Sequence, residues 1–394
     1  MNNRQLFYNF LSQTSQAPLA LEIERAEGVF MYGSDGKKYL DLISGISVSS
    51  VGHCHPEIVE AVQQQAKRYM HLMVYGEFVQ SPQVKLAEFL VSQLPDKLDN
   101  VYLVNSGSEA IEGAMKLAKR YTGRSEIVAF RNAYHGSTQG SLSVMGDEKM
   151  KNAFRPLLPD IRFLDFNDRE GLNQISNKTA CVIAETIQGE AGALVPDAGF
   201  LKELREACNR SGSLLVLDEI QAGCGRSGTM WAFQQFGITP DILTLAKGMG
   251  GGLPIGAFIS SRQIMHTLTH EPVLGHITTF GGNAICASAA LANLNIIARE
   301  KLWENAAKQE ILFRELLTHP KIKSIRGKGL MLAVEFETFE MNKRIIDKLI
   351  EKGIVTDWFL FAPHCLRIAP PLIIREEEVR TACKILMETL DEIE

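Results

Sequence analysis

The stretch DILTLAKGMGGGLPIGAF, residues 241–258, joins an apolar run to one lysine and then to five glycines before Phe258. The run ILTL (242–245) is typical of a buried strand, and Lys247 follows it after a single alanine. A lysine partly removed from water has a depressed pKa and can act as a neutral amine, the state that forms a Schiff base. A single lysine more commonly extends to the surface. The stretch alone leaves both interpretations open.

Similar apolar runs lie on either side of this lysine, between about residues 100 and 260. They are VYLV (101–104), IVAF (127–130), IRFL (161–164), CVIA (181–184), LLVL (214–217), ILTL (242–245) and IGAFI (255–259). Continuous runs of this kind suit strands that are buried on both faces of a largely parallel sheet. Apolar residues at helical spacing separate them, for example Ile111, Ala114, Met115 and Ala118. We therefore predict an α/β domain with about seven strands.

The two ends of the chain have a different pattern. After about residue 285, long helical stretches surround two candidate strands, GLMLAVEF (329–336) and CLRIA (365–369), which predicts a smaller α+β domain. Near the start, GVFMYGSDGKKYLDL indicates a hairpin at Asp35 and Gly36. We expect residues 1–50 to pack with a small C-terminal domain, 286–394, and residues 51–285 to form the large domain.

Composition excludes several classes of protein. The 394 residues are 45% hydrophobic and 22% charged, with a net charge of -5 and no basic run, so neither nucleic acid nor a membrane is an expected partner. Seven cysteines without a CxxC pair, and no signal-like or membrane-spanning stretch, indicate the cytoplasm. The HCH at 53–55 has no second ligand pair at suitable spacing, so we expect a loop and no metal.

Residues that directly follow the apolar runs are candidates for function, because ligands gather at the carboxyl ends of parallel strands. After VYLV, the segment NSGSEA places Gly107 and Ser108 at the start of a helix. Free backbone N–H groups there favour a phosphate, although such a segment is also a common turn and N-cap. After IVAF, the ring of Tyr134 could stack on a planar ligand or simply pack.

A carboxylate ends another run. Asp218 follows LLVL, where an ionised group needs a cationic partner or several hydrogen bonds; an N-cap or a simple salt bridge is the alternative. A phosphate cradle, a stacking ring, a strand-end aspartate and a strand-end lysine together match the needs of pyridoxal 5'-phosphate. The glycines after Lys247 do not form a nucleotide loop, because in that motif the lysine follows the glycines.

These residues lie within longer motifs that span nearly the whole chain. The motifs are GKKYLDLISGISVSSVGHCHPEIVEAV, NSGSEAIEGAMKLAKR, AYHGSTQGSLSVMG, ETIQGEAG, LLVLDEIQAGCGRSG, DILTLAKGMGGGLPIGA, TTFGGNAICASAA and LRIAPPL. In this order and spacing the sequence resembles the class III aminotransferases. Those proteins are fold type I pyridoxal-phosphate enzymes that act mostly on terminal amines.

The resemblance implies a role for each matching residue around the cofactor. Lys247 would form the Schiff base with the cofactor and move the proton during the reaction. Asp218 would keep the pyridine nitrogen protonated, Gln221 would bond the phenolic oxygen and Tyr134 would stack on the ring.

The resemblance also implies how the phosphate is held. The backbone N–H groups of Gly107 and Ser108 would bind it. Thr279, in TTFGGN, would reach the phosphate of the neighbouring subunit, which implies a homodimer with shared active sites.

Four further residues bear on the substrates. Arg367 matches the arginine that grips a carboxylate of 2-oxoglutarate or glutamate, and Glu190 matches the glutamate that pairs with it when the donor offers no carboxylate. Ser137 stands where relatives acting on acetylornithine, ornithine or 4-aminobutyrate carry an arginine for the donor carboxylate. Ile46 stands where ornithine aminotransferases carry a tyrosine. The expected donor is a diamine, a differently held diamino acid such as ornithine, or an acylated diamino acid anchored by other residues.

The sequence therefore predicts a transaminase that moves an amino group from an acetylornithine-like, ornithine-like or diamine donor to 2-oxoglutarate by a ping-pong mechanism. An aminomutase of the glutamate-semialdehyde type is the alternative, and the pair of Glu190 and Arg367 favours transfer, because an aminomutase needs no switch between two donors. A binding module without catalysis is a third class, disfavoured because Lys247 and Asp218 are both present.

Overall fold

The computed structural model of the protein describes residues 1–74 and 76–393. The strands are β1 (Ile23–Glu27), β2 (Phe30–Gly33), β3 (Lys38–Asp41), β4 (Asn100–Val104), β5 (Glu126–Phe130), β6 (Ile161–Leu164), β7 (Thr179–Glu185), β8 (Leu214–Asp218), β9 (Ile242–Leu245), β10 (Gly256–Ser260), β11 (Ser324–Lys328), β12 (Met331–Glu335), β13 (Ile354–Val355), β14 (Trp358–Phe359) and β15 (Ala362–Ile368).

The α-helical segments are α1 (Asn3–Phe10), α2 (Ser44–Ser47), α3 (Pro56–Arg68), α4 (Ser81–Ser92), α5 (Gly107–Thr122), α6 (Gln139–Ser143), α7 (Glu148–Lys151), α8 (Phe200–Ser211), α9 (Arg262–Met265), α10 (Ala284–Arg299), α11 (Leu302–Leu316), α12 (Phe339–Glu351) and α13 (Glu376–Glu392). Of these, α2 is a single turn with a left-handed backbone.

The main sheet confirms the predicted α/β class. Among the described residues it has seven strands in the order β4-β10-β9-β8-β7-β5-β6. The neighbours from β9 to β6 pair in parallel, whereas β10 is antiparallel to both β9 and β4. Each predicted apolar run coincides with one strand to within a few residues.

Both faces of this sheet are buried, as the continuous apolar runs require. Along β8, Leu215 and Leu217 belong to one apolar cluster, and Leu214 and Val216 belong to another. Helix α8 covers the first face and α5 covers the second. The carboxyl ends of the parallel strands therefore remain as the edge at which side chains meet a ligand.

Two smaller sheets contain the chain ends. One has the order β1-β2-β3-β13 and includes the predicted hairpin, and the other has the order β11-β12-β15-β14. Both predicted C-terminal strands form, as β12 and β15, while β11, β13 and β14 had no clear signal in the sequence. The parallel pair of β3 and β13 joins the first 50 residues to the C-terminal part.

The domain boundaries, 1–50, 51–285 and 286–394, stay a prediction. Tyr75 and Glu394, which belong to the second and third of these segments, lie outside the described residues. In the part of the chain that the structure describes, no helix combines the length and apolar character needed to cross a bilayer.

Candidate functional site

A cavity of about 450 Å³ opens at the carboxyl edge of the main sheet. The loops after five strands line it, with Ser106 after β4, Tyr134 after β5, Glu190 after β7, Gln221 after β8 and Lys247 after β9. The strand-end residues that the sequence singled out therefore converge on one volume. Its size and mixed lining suit a small organic ligand.

Lys247 enters this cavity from the end of β9. Its backbone is left-handed, with φ of 42°, and its side chain is half-buried because it faces the cavity. Burial lowers the pKa of the Lys247 amine, while the carboxylate of Glu190 partly opposes that shift. Among the described residues, none accepts a hydrogen bond from the amine. A neutral, unbonded amine is the form that attacks a carbonyl.

Asp218 finds the partner that its buried strand end requires. One carboxylate oxygen lies 2.8 Å from His135 Nδ1, and the other accepts a hydrogen bond of 2.9 Å from the backbone N–H of Ile220. Burial alone would lower the pKa of His135, but the hydrogen bond and charge of Asp218 raise it above its usual value. His135 therefore gives the Asp218 carboxyl group a hydrogen-bonded partner at the rim of the cavity.

Glu185 is a second strand-end carboxylate in the cavity. It is the register partner of Asp218 on the neighbouring parallel strand. Its oxygens accept backbone hydrogen bonds from Tyr134 at 2.6 Å and Gly189 at 2.5 Å. Burial raises the pKa of Glu185 to about 7; His135 opposes the rise and Asp218 adds to it. Glu185 thus fixes the loops after β5 and β7.

The start of α5 offers two unoccupied donors. Ser106 caps the helix by accepting from Glu109 N–H at 3.2 Å, and no described residue accepts a hydrogen bond from the N–H of Gly107 or Ser108. A Cβ placed at Gly136 would lie 2.2 Å from Ser108 Oγ, so only glycine permits this approach of the β5 loop. Two free amides at the positive end of a 16-residue helix can hold a phosphate.

Tyr134 and Gln221 border the cavity on opposite loops. The Tyr134 hydroxyl lies 3.2 Å from Ser137 Oγ, and Gln221 Nε2 donates to Glu190 Oε1 at 3.3 Å. Ser137 is exposed and is not among the described residues that line the cavity. Its contact with Tyr134 makes any role toward a substrate indirect in this conformation.

Arg367, on β15, forms a buried ion pair with Glu190. Nη2 of Arg367 lies 2.9 and 3.1 Å from the two oxygens of Glu190, and Nε donates to Asp357 at 2.8 Å. The guanidinium also stacks over the ring of Phe359, 4.2 Å from its centroid. Burial would raise the pKa of Glu190, but Arg367 lowers it below its usual value. Glu190 lines the cavity, so it stands between the open volume and Arg367.

Thr279 is exposed and is not among the described residues of the cavity wall. The adjacent Thr278 bonds through its hydroxyl to Asn105 Nδ2 at 3.0 Å, and Asn105 lines the cavity. The segment with Thr279 therefore runs along the mouth of the site and faces outward. Its contact with a second subunit stays a prediction.

Sequence reasoning overlooked three members of the site. Glu185 ends the run CVIA as Asp218 ends LLVL, so the same rule applied to β7 would have found it. His135 follows Tyr134 directly, but its pairing with Asp218 depends on two separate strands. Asp357 has no local signal, because only the folded sheet brings it to Arg367.

The cluster of histidines near the N-terminus has other partners. His53 Nε2 lies 2.8 Å from Asp41, and His55 caps α3. Within residues 1–74 and 76–393, no group of three or more His, Cys, Asp or Glu side chains is arranged to hold a metal ion.

The sequence model of the family "Aminotransferase class-III" matches residues 11–390. The chain belongs to the class III aminotransferases. The acetylornithine aminotransferase of Methanocaldococcus jannaschii is 38% identical to this aminotransferase over 390 residues, which cover 95% of this chain and 94% of the relative. The enzyme activity predicted from the sequence, that of a transaminase, is therefore confirmed at the level of the family.

Solved structures agree with this family. An ornithine aminotransferase from Toxoplasma gondii superposes on this class III aminotransferase with a TM-score of 0.92 at 30% identity, covering 99% of this chain and 93% of its own. A thermostable (S)-enantioselective omega-transaminase from Thermomicrobium roseum gives 0.91 at 29% identity, covering 98% and 97%. The predicted fold type I architecture and dependence on pyridoxal 5'-phosphate are confirmed.

The residues present in the cavity fit this cofactor. Free amides at α5 match its phosphate, the paired Asp218 matches a pyridine nitrogen, and the unbonded amine of Lys247 matches an aldehyde. Tyr134 and Gln221 border the same volume. The separate roles of these side chains remain proposals.

The raised pKa of Glu185 gives a pH-dependent prediction for the apoenzyme. Between about pH 4.5 and pH 7 the folded protein keeps a proton on Glu185 that the unfolded chain releases, so stability from this group falls as pH rises. Glu185→Gln loses one backbone acceptor but does not titrate. The loss in free energy of unfolding caused by Glu185→Gln should therefore be largest near pH 5. At pH 7.5 it should be smaller by about 2–3 kcal/mol, as measured by urea unfolding.

The exposed Glu206→Gln on α8 is the matched control, with no pH-dependent change in stability. A cost of Glu185→Gln that is equal at pH 5 and pH 7.5 would show that Glu185 ionises in the folded protein at its ordinary pKa.

Proposed function

We propose that this enzyme transfers the terminal amino group of an acetylornithine-like, ornithine-like or diamine donor to 2-oxoglutarate in two half-reactions at one site. The observation that carries the proposal is the ion pair of Arg367 and Glu190 beside the amine of Lys247. A site for one substrate class needs no arginine hidden behind a movable carboxylate. A site that alternates between an amine and a dicarboxylic acid does.

In the proposed mechanism, the protein orients the cofactor and moves one proton. Bound pyridoxal phosphate withdraws electrons from the carbon that carries the amino group. Nζ of Lys247, whose pKa burial lowers, would take the proton from that carbon and later return it. Asp218, held by His135, supplies the negative charge that favours a protonated ring nitrogen. The N–H groups of Gly107 and Ser108 would bind the phosphate, Tyr134 would cover the ring and Gln221 would bond the phenolic oxygen.

The substrates would exchange at Arg367. With an amine donor that has no carboxylate at this position, Glu190 stays hydrogen-bonded to the guanidinium, and the two groups neutralise each other's charge. With 2-oxoglutarate or glutamate, Glu190 would swing aside and the substrate carboxylate would take the bidentate position. Asp357 binds Nε, so it can hold the guanidinium while the outer nitrogens change partners.

The lining of the cavity bears on the donor. The described lining residues include three carboxylates, Glu185, Glu190 and Asp218, but only His135 and Lys247 as basic side chains. A donor carboxylate at the far end would meet no arginine among these residues, whereas a second amine would meet carboxyl oxygens that can accept its hydrogen bonds. Relatives named acetylornithine aminotransferase keep acylated diamino acids among the candidates.

A homodimer with shared active sites is part of the proposal. Thr279 and its neighbours Ile277 and Phe280 are exposed, and they flank Thr278, which bonds to the cavity-lining Asn105. Exposed apolar residues beside a site are typical of an interface. We also propose the cytoplasm as its location, supported by seven cysteines that are all unpaired.

The first test is a panel of donors with the holoenzyme and 2-oxoglutarate. We expect 1,4-diaminobutane or 1,5-diaminopentane to yield glutamate faster than L-ornithine or N-acetylornithine, because the described lining of the cavity offers no arginine for the carboxylate that both amino acids carry. Lys247→Ala should fold and lower turnover by about 10²–10⁴-fold or more, since it lacks the proton-transferring amine. Glutamate formation measures both effects.

Outcomes of this panel separate the alternatives. An aminomutase would change the amine without consuming 2-oxoglutarate. Fastest turnover with N-acetylornithine would contradict our interpretation of Ser137, and full activity of Lys247→Ala would contradict the mechanism.

The ion pair gives a second prediction. Glu190→Gln removes the negative charge that neutralises Arg367. A substrate carboxylate then binds Arg367 without competition from Glu190, whereas an amine donor meets an arginine whose charge is no longer neutralised. We expect the kcat/KM ratio of L-glutamate to the best amine to rise about tenfold, measured as separate half-reactions by cofactor absorbance. Glu206→Gln again serves as a control. An unchanged ratio would mean that Glu190 does not act as the switch.

A further inference from the structure

Beside the cavity lies a turn with an unusual backbone. Four successive residues of α2 have left-handed φ angles: Ser44 at 43°, Gly45 at 62°, Ile46 at 64° and Ser47 at 63°. Three of them carry side chains that disfavour this conformation. Such a run persists only where neighbouring groups hold it, and backbone strain of this kind concentrates at functional sites.

Asp41 holds the entry to this turn. One oxygen of its carboxylate accepts hydrogen bonds from the backbone N–H of Ile43 and of Ser44, each at 2.8 Å. The other oxygen lies 2.8 Å from His53 Nε2. The side chain is 1% exposed, so water does not replace these contacts.

Arg226 holds the turn from the other side. Its guanidinium is buried and donates to Ser44 Oγ at 3.3 Å, to the carbonyl of Leu330 at 3.0 Å and to the carbonyl of Pro370. Burial lowers the pKa of Arg226 to about 9, and the negative charge of Asp41 opposes that shift. Ser44 therefore bonds to both buried side chains, through its backbone N–H to Asp41 and through its hydroxyl to Arg226.

The turn ties the strand of Arg367 to the N-terminal segment. Directly after that strand, Ala369 N–H donates to Leu42 at 2.6 Å, and the Ala369 carbonyl accepts from Ser44 Oγ at 2.6 Å. A little further on, Leu372 N–H donates to Ser50 at 2.7 Å. Movement of the turn would therefore move the strand that carries Arg367.

The same turn forms part of the cavity wall. Val48, the residue after it, lines the cavity. Next to Lys247, a Cβ placed at Gly248 would lie 3.3 Å from the Ser47 carbonyl and 2.9 Å from Ser50 Oγ. The turn thus lies between the lysine loop and the arginine strand.

We propose that Asp41 is a positioning residue for the amine donor. By capping the left-handed turn and balancing Arg226, it fixes the distance between the wall at Val48 and the strand of Arg367. This spacing determines which amines reach the amine of Lys247 in a reactive geometry. The proposal rests on the proposed transfer from an amine to 2-oxoglutarate.

The test compares Asp41→Ala and Asp41→Asn in the holoenzyme. We expect KM for 1,4-diaminobutane and L-ornithine to rise about 10- to 100-fold, with a smaller change in kcat and an unchanged cofactor absorbance spectrum. The asparagine variant keeps one acceptor oxygen for the turn, so it should show the smaller effect. Hydrogen exchange of residues 42–50, measured by mass spectrometry, should become faster in both variants.

A rescue separates this role from general loss of stability. Ser47 has a left-handed backbone and a buried hydroxyl without a hydrogen-bond partner among the described residues. Ser47→Gly removes both penalties. Adding it to Asp41→Ala should therefore lower the amine KM part of the way to the wild-type value and slow the hydrogen exchange of residues 42–50. The control is Asp147→Asn, which removes charge from a cap on α7 and should change neither quantity.

Unchanged amine KM in both Asp41 variants, or unchanged exchange of residues 42–50, would overturn the proposal. An equal rise in KM for every donor, which Ser47→Gly does not reverse, would also overturn the proposal. If Asp41→Ala does not fold, Asp41→Asn carries the same comparison. Should the wild-type enzyme turn over no amine, the proposed function fails, while the exchange measurement still tests whether Asp41 holds the turn.

Discussion

The amine of Lys247 is held away from bulk water at the end of β9, and burial of a cation costs free energy that neighbouring carboxylates offset. Placing the lysine at a strand end of a sheet covered on both faces removes part of its side chain from water, while the amine faces the cavity. Burial also lowers the pKa of this amine, which favours the neutral form that reacts with a carbonyl. The glycines after it permit close packing, since Gly248 fits against Ser47 and Ser50 while Gly252 lines the cavity.

Arg367 is the second buried basic group of the site, and it too is stabilised by neighbouring carboxylates. It comes from β15 of a small sheet, whereas Glu190 comes from the loop after β7 of the main sheet. A buried guanidinium with two carboxylate partners can exchange one of them for a substrate carboxylate while the other stays paired with it. The proposed site for a dicarboxylic acid would therefore be built from two parts of the chain that fold against each other.

The sequence was most informative where function follows from a local rule. The seven strands, Lys247, Asp218 and the start of α5 were all predictable, because continuous apolar runs and strand ends are local features. Glu185 obeys the same rule and could have been found. Asp357 could not, since its contact with Arg367 exists only in the folded sheet. The left-handed turn was equally hidden, because Asp41 and Arg226 impose it from 3 and 182 residues away from Ser44.

The central claim is that amine and keto acid use one site in turn. Initial rates measured over a matrix of amine and 2-oxoglutarate concentrations test it most directly. If the donor leaves as its carbonyl product before 2-oxoglutarate binds at Arg367, double-reciprocal plots will form parallel lines. Converging lines would show that both substrates are bound together, which contradicts the proposal that each in turn reacts beside Lys247.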